Sequence, residues 1–206
     1  QEKDEYTTYF GAFKSVYQYN DKNKLKFIAS AYHTQEQEYY DILAQYRLGD
    51  FSNMIETCNQ GLDLLVENDT DKAIFQLDKL FGLLVLNQRT EAQTLSTKMI
   101  SEINESNKGI TIENLFWMSV FFKWEVPGLN DIAESFEKEG KTHRYFLNAL
   151  NIKRGAALTE NDFNKTDYYD SLMGYQYFQD KKDRTAACSF LKILAENLKW
   201  NEWIKQ

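Results

Sequence analysis

The sequence is poor in residues that build tight turns, and it has no apolar run long enough to cross a membrane. Its 206 residues include one proline, Pro127, and 9 glycines. A β-sandwich or barrel with many tight turns would need more of both. The most apolar segment, residues 115–126, contains Lys123 and Glu125 and falls short of the ~18 apolar residues that a span requires. We therefore expect neither an all-β fold nor a membrane span.

Residues for metal and phosphate chemistry are also scarce. The 2 histidines, His33 and His143, have no Cys, Asp or Glu at a metal-ligand spacing, and we expect each at the surface or at a helix end. No glycine-rich phosphate loop and no GxSxG motif occurs. Cys58 and Cys188 fall on predicted apolar helix stripes, which favours small buried hydrophobes over the alternative of a disulfide. The sequence predicts no cofactor and no metal.

Acidic residues dominate the charge of the chain, which has a formal net charge of -7. That charge disfavours nucleic acid, because phosphates are neutralised by clustered Lys and Arg. It favours a basic protein partner, with solubility alone as the alternative. Paired carboxylates would allow an Asp/Glu-dependent hydrolase, but many carboxylates make chance pairs frequent. The notable pairs are Glu36 with Glu38, Asp131 with Glu134, and Asp167 with Asp170.

Apolar side chains recur at helical spacing, and no useful length shows the alternation of a half-buried strand. We predict an all-α chain of about eleven helices in a single domain, residues 1–206, arranged as an antiparallel helix-pair array or as a helical bundle. Residues 168–198 are the clearest pair, with a charged break at residues 180–183. The helix of residues 111–124 is apolar on most sides, which predicts that its neighbours enclose it.

Start and stop signals place the helix boundaries. A first helix is predicted at residues 6–17 and a long second one from about Asn23 to a C-cap at Gly49. Pro127 with Gly128 and, later, Gly140 are further predicted stops, and the tail with Trp200 and Trp203 is predicted to fold back. The predicted N-terminal signals are Asp50 or Ser52, Thr70, Thr90 with Gln93, Thr111, Thr142, and Thr159 with Asp162.

One hairpin resembles a tetratricopeptide repeat. Met173-Gly174, Tyr177, Ala186 and Phe190 fall at the intervals of that repeat's Leu-Gly, Tyr, Ala and Phe positions. In such repeats small residues let paired helices approach and aromatic residues fill the space between successive pairs. The spacing along this chain is not a constant 34 residues, so the resemblance implies a degenerate helix-pair array.

The order of elements also resembles a family of all-helical bacterial immunity proteins, which neutralise secreted polymorphic toxins, notably nucleases, by binding them. Residues 46–49, Tyr-Arg-Leu-Gly, stand where that family has Tyr-Ser-x-Gly. Residues 174–179, Gly-Tyr-Gln-Tyr-Phe-Gln, stand where it has Gly-Tyr-Trp-x-Phe-Glu, and Ala186-Ala187 follow. Gln176 and Gln179 depart from the pattern. The resemblance implies a non-catalytic protein whose partner is a basic toxin domain.

The sequence therefore favours a protein-binding protein that is not an enzyme, and the resemblance to the immunity family implies a toxin-neutralising one. The alternative is a tetratricopeptide-like periplasmic or envelope-associated scaffold that captures a peptide. We expect a cytoplasmic location, or a periplasmic one if a signal peptide preceded Gln1. Tyrosine suits interfaces because its ring buries area while its hydroxyl finds a hydrogen bond. The candidate partner-binding residues are Tyr32, Tyr39, Tyr40, Tyr46, Asp167, Tyr168, Tyr169, Asp170 and Tyr175.

Overall fold

The fold is all-helical in a computed structural model that describes residues 41–42, 45–46, 48–64, 69–140 and 142–197. These residues form eight α-helices and one 3-10 helix and contain no strand. Residues 41–42, 45–46 and 48 are also helical, and Gly49 follows in a turn. The helices are α1 (Phe51–Leu64), α2 (Asp69–Val85), α3 (Arg89–Ser101), α4 (Lys108–Phe121), α5 (Leu129–Glu137), α6 (Arg144–Lys153), the 3-10 helix (Glu160–Asp162), α7 (Tyr168–Asp180) and α8 (Arg184–Asn197).

The predicted fold class is confirmed, but the predicted number of about eleven helices is not. The described part of the chain holds eight α-helices, and the predicted turn after Thr159 is a 3-10 helix. The predicted helix at residues 6–17, most of the next one, and the tail with Trp200 and Trp203 lie outside the described residues. No helix in the described ranges has the length and apolar character needed to cross a membrane.

Helix pairs are the main packing unit. α1 packs along α2 and α7 packs along α8, and the α7–α8 turn falls at the predicted charged break. In both pairs a glycine faces a phenylalanine ring. A Cβ atom placed on Gly61 would lie 2.1 Å from Phe75, and one on Gly174 would lie 2.7 Å from Phe190. The close approach that the tetratricopeptide-like spacing predicts around Gly174 is therefore present in this hairpin.

Helix α4 lies at the centre of the described part and contacts α2, α3, α5, α6 and α7. Its residues 111–118 are all buried, and Leu115 and Trp117 have no exposed surface. This confirms the predicted enclosure. Such a helix gains its stability from contacts on every side rather than from one apolar stripe.

Some predicted helix starts are correct and others are wrong. Asp50 accepts a bond from the Asn53 backbone N–H at 3.4 Å, as a cap does. The capping box of Thr159 and Asp162 is present in both directions. The other threonines are not caps, because α2, α3 and α4 begin earlier and α6 begins one residue later. Thr70, Thr90 and Thr111 lie inside helices, and Thr142 precedes the true N-cap residue, His143.

Some predicted helix ends are correct and others are wrong. Gly49 and Gly140 adopt left-handed φ angles of 72° and 76°, as the C-terminal stops of helices require. Helix α4 ends at Phe121, before the predicted stop at Pro127, because Lys123 already adopts a φ of 50°. Gly128 instead precedes α5 as its N-cap residue.

The two cysteines differ in environment. Cys58 is fully buried, as predicted, whereas Cys188 is exposed. The apolar stripe of α8 passes through Ala187 and Phe190, and Cys188 lies off that stripe. The expected burial of Cys188 is therefore wrong.

Candidate protein-binding surface

Four tyrosine rings form a continuous row that runs from the starts of α6 and α7 to Tyr46, which precedes α1. Tyr145 in α6 lies 5.3 Å from Tyr169 in α7, Tyr169 lies 5.3 Å from Tyr168, and Tyr168 lies 5.5 Å from Tyr46, all between ring centroids. We call Tyr46, Tyr145, Tyr168 and Tyr169 the tyrosine row. At its Tyr145 end the row continues into His143, whose imidazole stacks on Tyr145 at 5.6 Å with the planes 16° apart.

The tyrosine row rests on the aromatic core. The ring of Trp117 lies 5.1 Å from Tyr169, and its indole N–H donates to the Tyr169 backbone carbonyl at 3.2 Å. Tyr46 packs on Phe81 at 5.2 Å, and Phe81 in turn stacks on Trp117. The hydroxyls of Tyr46 and Tyr168 are in contact. The rings therefore have fixed positions, so little side-chain entropy remains to be lost on contact with a partner.

A buried carboxylate, Glu113 in α4, holds the His143 end of the row. One oxygen of Glu113 accepts from the His143 backbone N–H at 2.9 Å. The other accepts from His143 Nδ1 at 2.5 Å and from the Tyr145 hydroxyl at 3.1 Å. The Glu113 side chain is 3% exposed, while that of His143 is 74% exposed. Glu113 thus fixes the start of α6 from the buried side, while the His143 imidazole lies at the surface.

A second buried carboxylate, Asp170, fixes the start of α7. Its two oxygens accept from the Asn148 side-chain amide at 2.8 Å and from the Asn164 backbone N–H at 2.7 Å. Arg144 Nε lies 3.8 Å from Asp170 Oδ2. Burial raises the pKa of Asp170 above its usual range. Because Asp170 has no exposed surface, its role is to position the helix that carries Tyr168 and Tyr169.

Asp167 is the N-cap residue of α7 and directly precedes Tyr168 of the row. Its carboxylate accepts from the Asp170 backbone N–H at 2.9 Å. This bond satisfies one of the free N–H groups at the helix start. Asp167 is half-buried and adds a negative charge near Tyr145. The predicted Asp167–Asp170 pair is therefore a helix-start arrangement in which both carboxylates are bound by the fold.

The structure brings together several of the predicted partner-binding residues. Tyr46, Tyr168 and Tyr169 are half-buried members of the row, and Asp167 and Asp170 flank it. Tyr175 is half-buried further along α7, where its hydroxyl accepts from Gln179 at 3.0 Å. Tyr32, Tyr39 and Tyr40 lie outside the described residues.

Sequence reasoning missed Glu113, His143 and Tyr145 as parts of this surface. His143 does lie at a helix end and at the surface, as expected, but nothing in its neighbours along the chain indicates that Glu113 binds it. The two residues are 30 positions apart. Tyr145 is buried, with 8% of its surface exposed. Burial, together with the Glu113 carboxylate, raises the pKa of the Tyr145 phenol far above its usual range.

Within the described ranges no three His, Cys, Asp or Glu side chains group in a way that could hold a metal ion. Comparison with family models, curated proteins and solved structures finds no match to this chain. The tetratricopeptide-like and immunity-protein resemblances consequently rest on the sequence patterns and on the helix pairs alone.

Proposed function

We propose that this chain is a non-catalytic protein-binding protein that recognises a basic partner through the tyrosine row and the carboxylates beside it. The observation that carries the proposal is the unbroken line of rings from His143 to Tyr46, fixed from below by Glu113, Asp170 and Trp117. Tyrosine is enriched at the energetic centres of interfaces, where a rigid ring buries area at low entropic cost.

The charge of the surface supports a basic partner. Asp167 places a half-buried carboxylate beside the row. The Glu113 and Asp170 carboxylates are buried, and they act by orienting the helix starts that carry the rings. The whole chain has a formal net charge of -7. Complementary charge accelerates encounter and excludes wrong partners more than it raises affinity. An arginine or lysine side chain can also lie over a tyrosine face, an attraction of about 0.5–1 kcal/mol at exposed sites.

The carboxylates of this region support binding rather than catalysis. Glu113 accepts two hydrogen bonds from the N-cap residue His143 and one from Tyr145 in α6. Asp170 accepts from Asn148 and Asn164. A hydrolytic pair would need oxygens directed at a substrate or at an attacking water. In this protein the oxygens are engaged in holding helix starts.

The specific function that we propose is neutralisation of a secreted bacterial toxin. A nuclease toxin is basic where it binds its substrate. An acidic surface with fixed tyrosine rings would therefore complement the charge of that face. The order of elements that resembles the immunity family supports this choice.

A peptide-binding scaffold is the second candidate, and one observation favours it. The α7–α8 hairpin has the close Gly174–Phe190 approach of a tetratricopeptide-like pair. Such a scaffold would bind an extended peptide. An immunity protein would bind a folded toxin domain.

The test takes the gene directly upstream of the one that encodes this chain as the gene for the toxin, and it uses the purified product of that gene. We expect tight binding whose affinity falls as NaCl rises from 50 to 500 mM, because screening weakens exposed charge pairs. We also expect co-expression to restore growth of cells that the upstream product poisons. Binding that is indifferent to salt, or no protection, would contradict the proposal. Affinity only for unfolded segments of that product would favour the scaffold.

A further inference from the structure

His143 has an orientation that an exposed histidine does not adopt without cause. Its backbone N–H and its ring Nδ1 both bind the Glu113 carboxylate, at 2.9 and 2.5 Å, while its side chain is 74% exposed. A carboxylate oxygen accepts hydrogen bonds and does not donate them, so the proton of the neutral ring belongs on Nδ1. The other nitrogen, Nε2, then carries a lone pair.

The position of this lone pair is set by the fold. Stacking on Tyr145 fixes the ring plane, and the bond that Nδ1 donates to the Glu113 carboxylate fixes the rotation of the ring. Because Nδ1 is engaged below, Nε2 is the ring nitrogen left at the exposed edge. Glu113 is buried and cannot meet a partner itself. The buried Glu113 carboxylate thus orients the His143 ring so that Nε2 is a hydrogen-bond acceptor at the end of the tyrosine row.

We infer that His143 is a further partner-binding residue, whose Nε2 accepts a hydrogen bond from a guanidinium group, and that Glu113 is its positioning residue. The inference rests on the proposed function and names the chemistry of one contact in it: an arginine side chain of the partner. The negative charges of Glu113 and Asp167 and the ring faces of the row favour a cationic donor over a neutral one.

Two substitutions test the His143 acceptor and the Glu113 side chain that positions it separately. His143→Asn keeps a side-chain donor for Glu113 and a residue type that caps helices well, but it lacks the outer nitrogen. Glu113→Gln keeps the size of the side chain, and its amide can donate to Nδ1. The ring proton then moves to Nε2, which converts the outward acceptor into a donor. Glu125→Gln, a change at a side chain that is 91% exposed, is the matched control for net charge.

The first readout needs no partner. Nitrogen-15 NMR of the histidine ring, at about pH 9, well above the usual imidazole range, distinguishes the two neutral tautomers. We expect the Nδ1–H form of His143 in the wild type and in Glu125→Gln, and the Nε2–H form in Glu113→Gln. An Nε2–H ring in the wild type would overturn the inference, whatever the chain binds.

The second readout uses a nine-residue arginine peptide as the probe and the matching citrulline peptide, which has the same shape without the charge. We expect His143→Asn and Glu113→Gln to weaken arginine-peptide binding about fivefold, the loss of one hydrogen bond to a charged donor at a partly exposed site. Glu125→Gln should bind the arginine peptide as tightly as the wild type does. The affinity for the citrulline peptide should be the same in the wild type, His143→Asn and Glu113→Gln. Equal binding by the wild type and His143→Asn would overturn the inference.

The two proposals fail separately. If the upstream gene product does not bind the wild type while the tautomer and arginine-peptide results hold, the toxin-neutralising function is wrong and the arginine contact stands. If that product binds and His143→Asn binds it equally well, the function stands and the role of His143 is overturned.

Discussion

At the scale of single residues, close approach and burial decide what each position tolerates. Gly174 and Gly61 are fixed by the phenylalanine rings opposite them, and Glu113 and Asp170 by the donors that surround them. The Gly174–Phe190 contact is local to one hairpin, so its spacing was readable from the sequence. The Glu113–His143 contact joins different helices, and no local pattern encodes it.

Gly174→Ala should destabilise the fold by about 1–3 kcal/mol, because the new methyl group would lie 2.7 Å from the buried Phe190 ring. Gly109→Ala is the matched control: its Cβ would lie 3.7 Å from Phe136, an ordinary contact. We expect Gly109→Ala to be neutral or to stabilise the chain by up to about 1 kcal/mol through helix propensity. Urea unfolding measures both, and equal effects at the two sites would contradict the packing account.

Asp78 in α2 should make stability depend on pH. Burial raises its pKa from 3.8 to about 7. The folded chain then holds this proton more tightly than the unfolded chain, so stability is present at acid pH and is lost as the pH rises from 3.8 towards 7.

Asp78→Asn removes that loss, and we expect it to exceed the wild type in stability by roughly 1–3 kcal/mol at pH 8 and by less at pH 4, since one pKa unit corresponds to about 1.4 kcal/mol. Asp131→Asn, at an exposed position on α5, is the control. Urea unfolding across this pH range that gave parallel curves for Asp78→Asn and the wild type would disprove the assignment.

At the scale of elements, helix starts carry the candidate surface. α4 fixes the start of α6 through Glu113 and the start of α7 through Trp117. Periodicity in the sequence located the helices, but it misplaced several starts. Thr90 shows why: it has a capping-box spacing with Gln93, yet α3 already begins at Arg89. Side-chain caps contribute about 1 kcal/mol, so packing of the apolar face can override them.

Asp167 allows capping and charge to be tested separately. Asp167→Ala removes the acceptor for the Asp170 N–H, and we expect a loss of about 1 kcal/mol in the free energy of unfolding. Asp167→Asn keeps a cap and should cost at most a few tenths of a kcal/mol, while it removes the charge beside the row. Thermal unfolding reports the cap, and association rates with the arginine peptide report the charge. Equal stability of the two variants would show that the cap is not stabilising.

At the scale of the whole molecule, the tyrosine row joins distant parts of the chain. Tyr46 and Tyr168 are 122 positions apart, yet their hydroxyls are in contact. The all-helical class and the helix pairs were predictable because they follow from periodicity and short connections. The row was not, since its members come from three separate helical segments that are far apart along the chain and meet only in the packed fold.

The joining of distant segments should make unfolding cooperative. We expect far-ultraviolet circular dichroism and tryptophan fluorescence, which reports Trp117 among other indoles, to give the same urea midpoint for the wild type. Tyr46→Ala should lower that midpoint, because it removes a ring packed on Phe51, Phe81 and Tyr168. Separate midpoints in the wild type would show that the helix pairs unfold independently.

The most direct test of the central claim is amide hydrogen exchange of this chain, alone and with the upstream gene product bound. The account predicts that new protection concentrates at residues 45–46, 142–145 and 164–170, where the tyrosine row and its helix starts lie. It also predicts no change along the exposed side of α5. Protection confined to α5, with exchange at the row unaltered, would contradict the claim that this protein binds its partner through those rings.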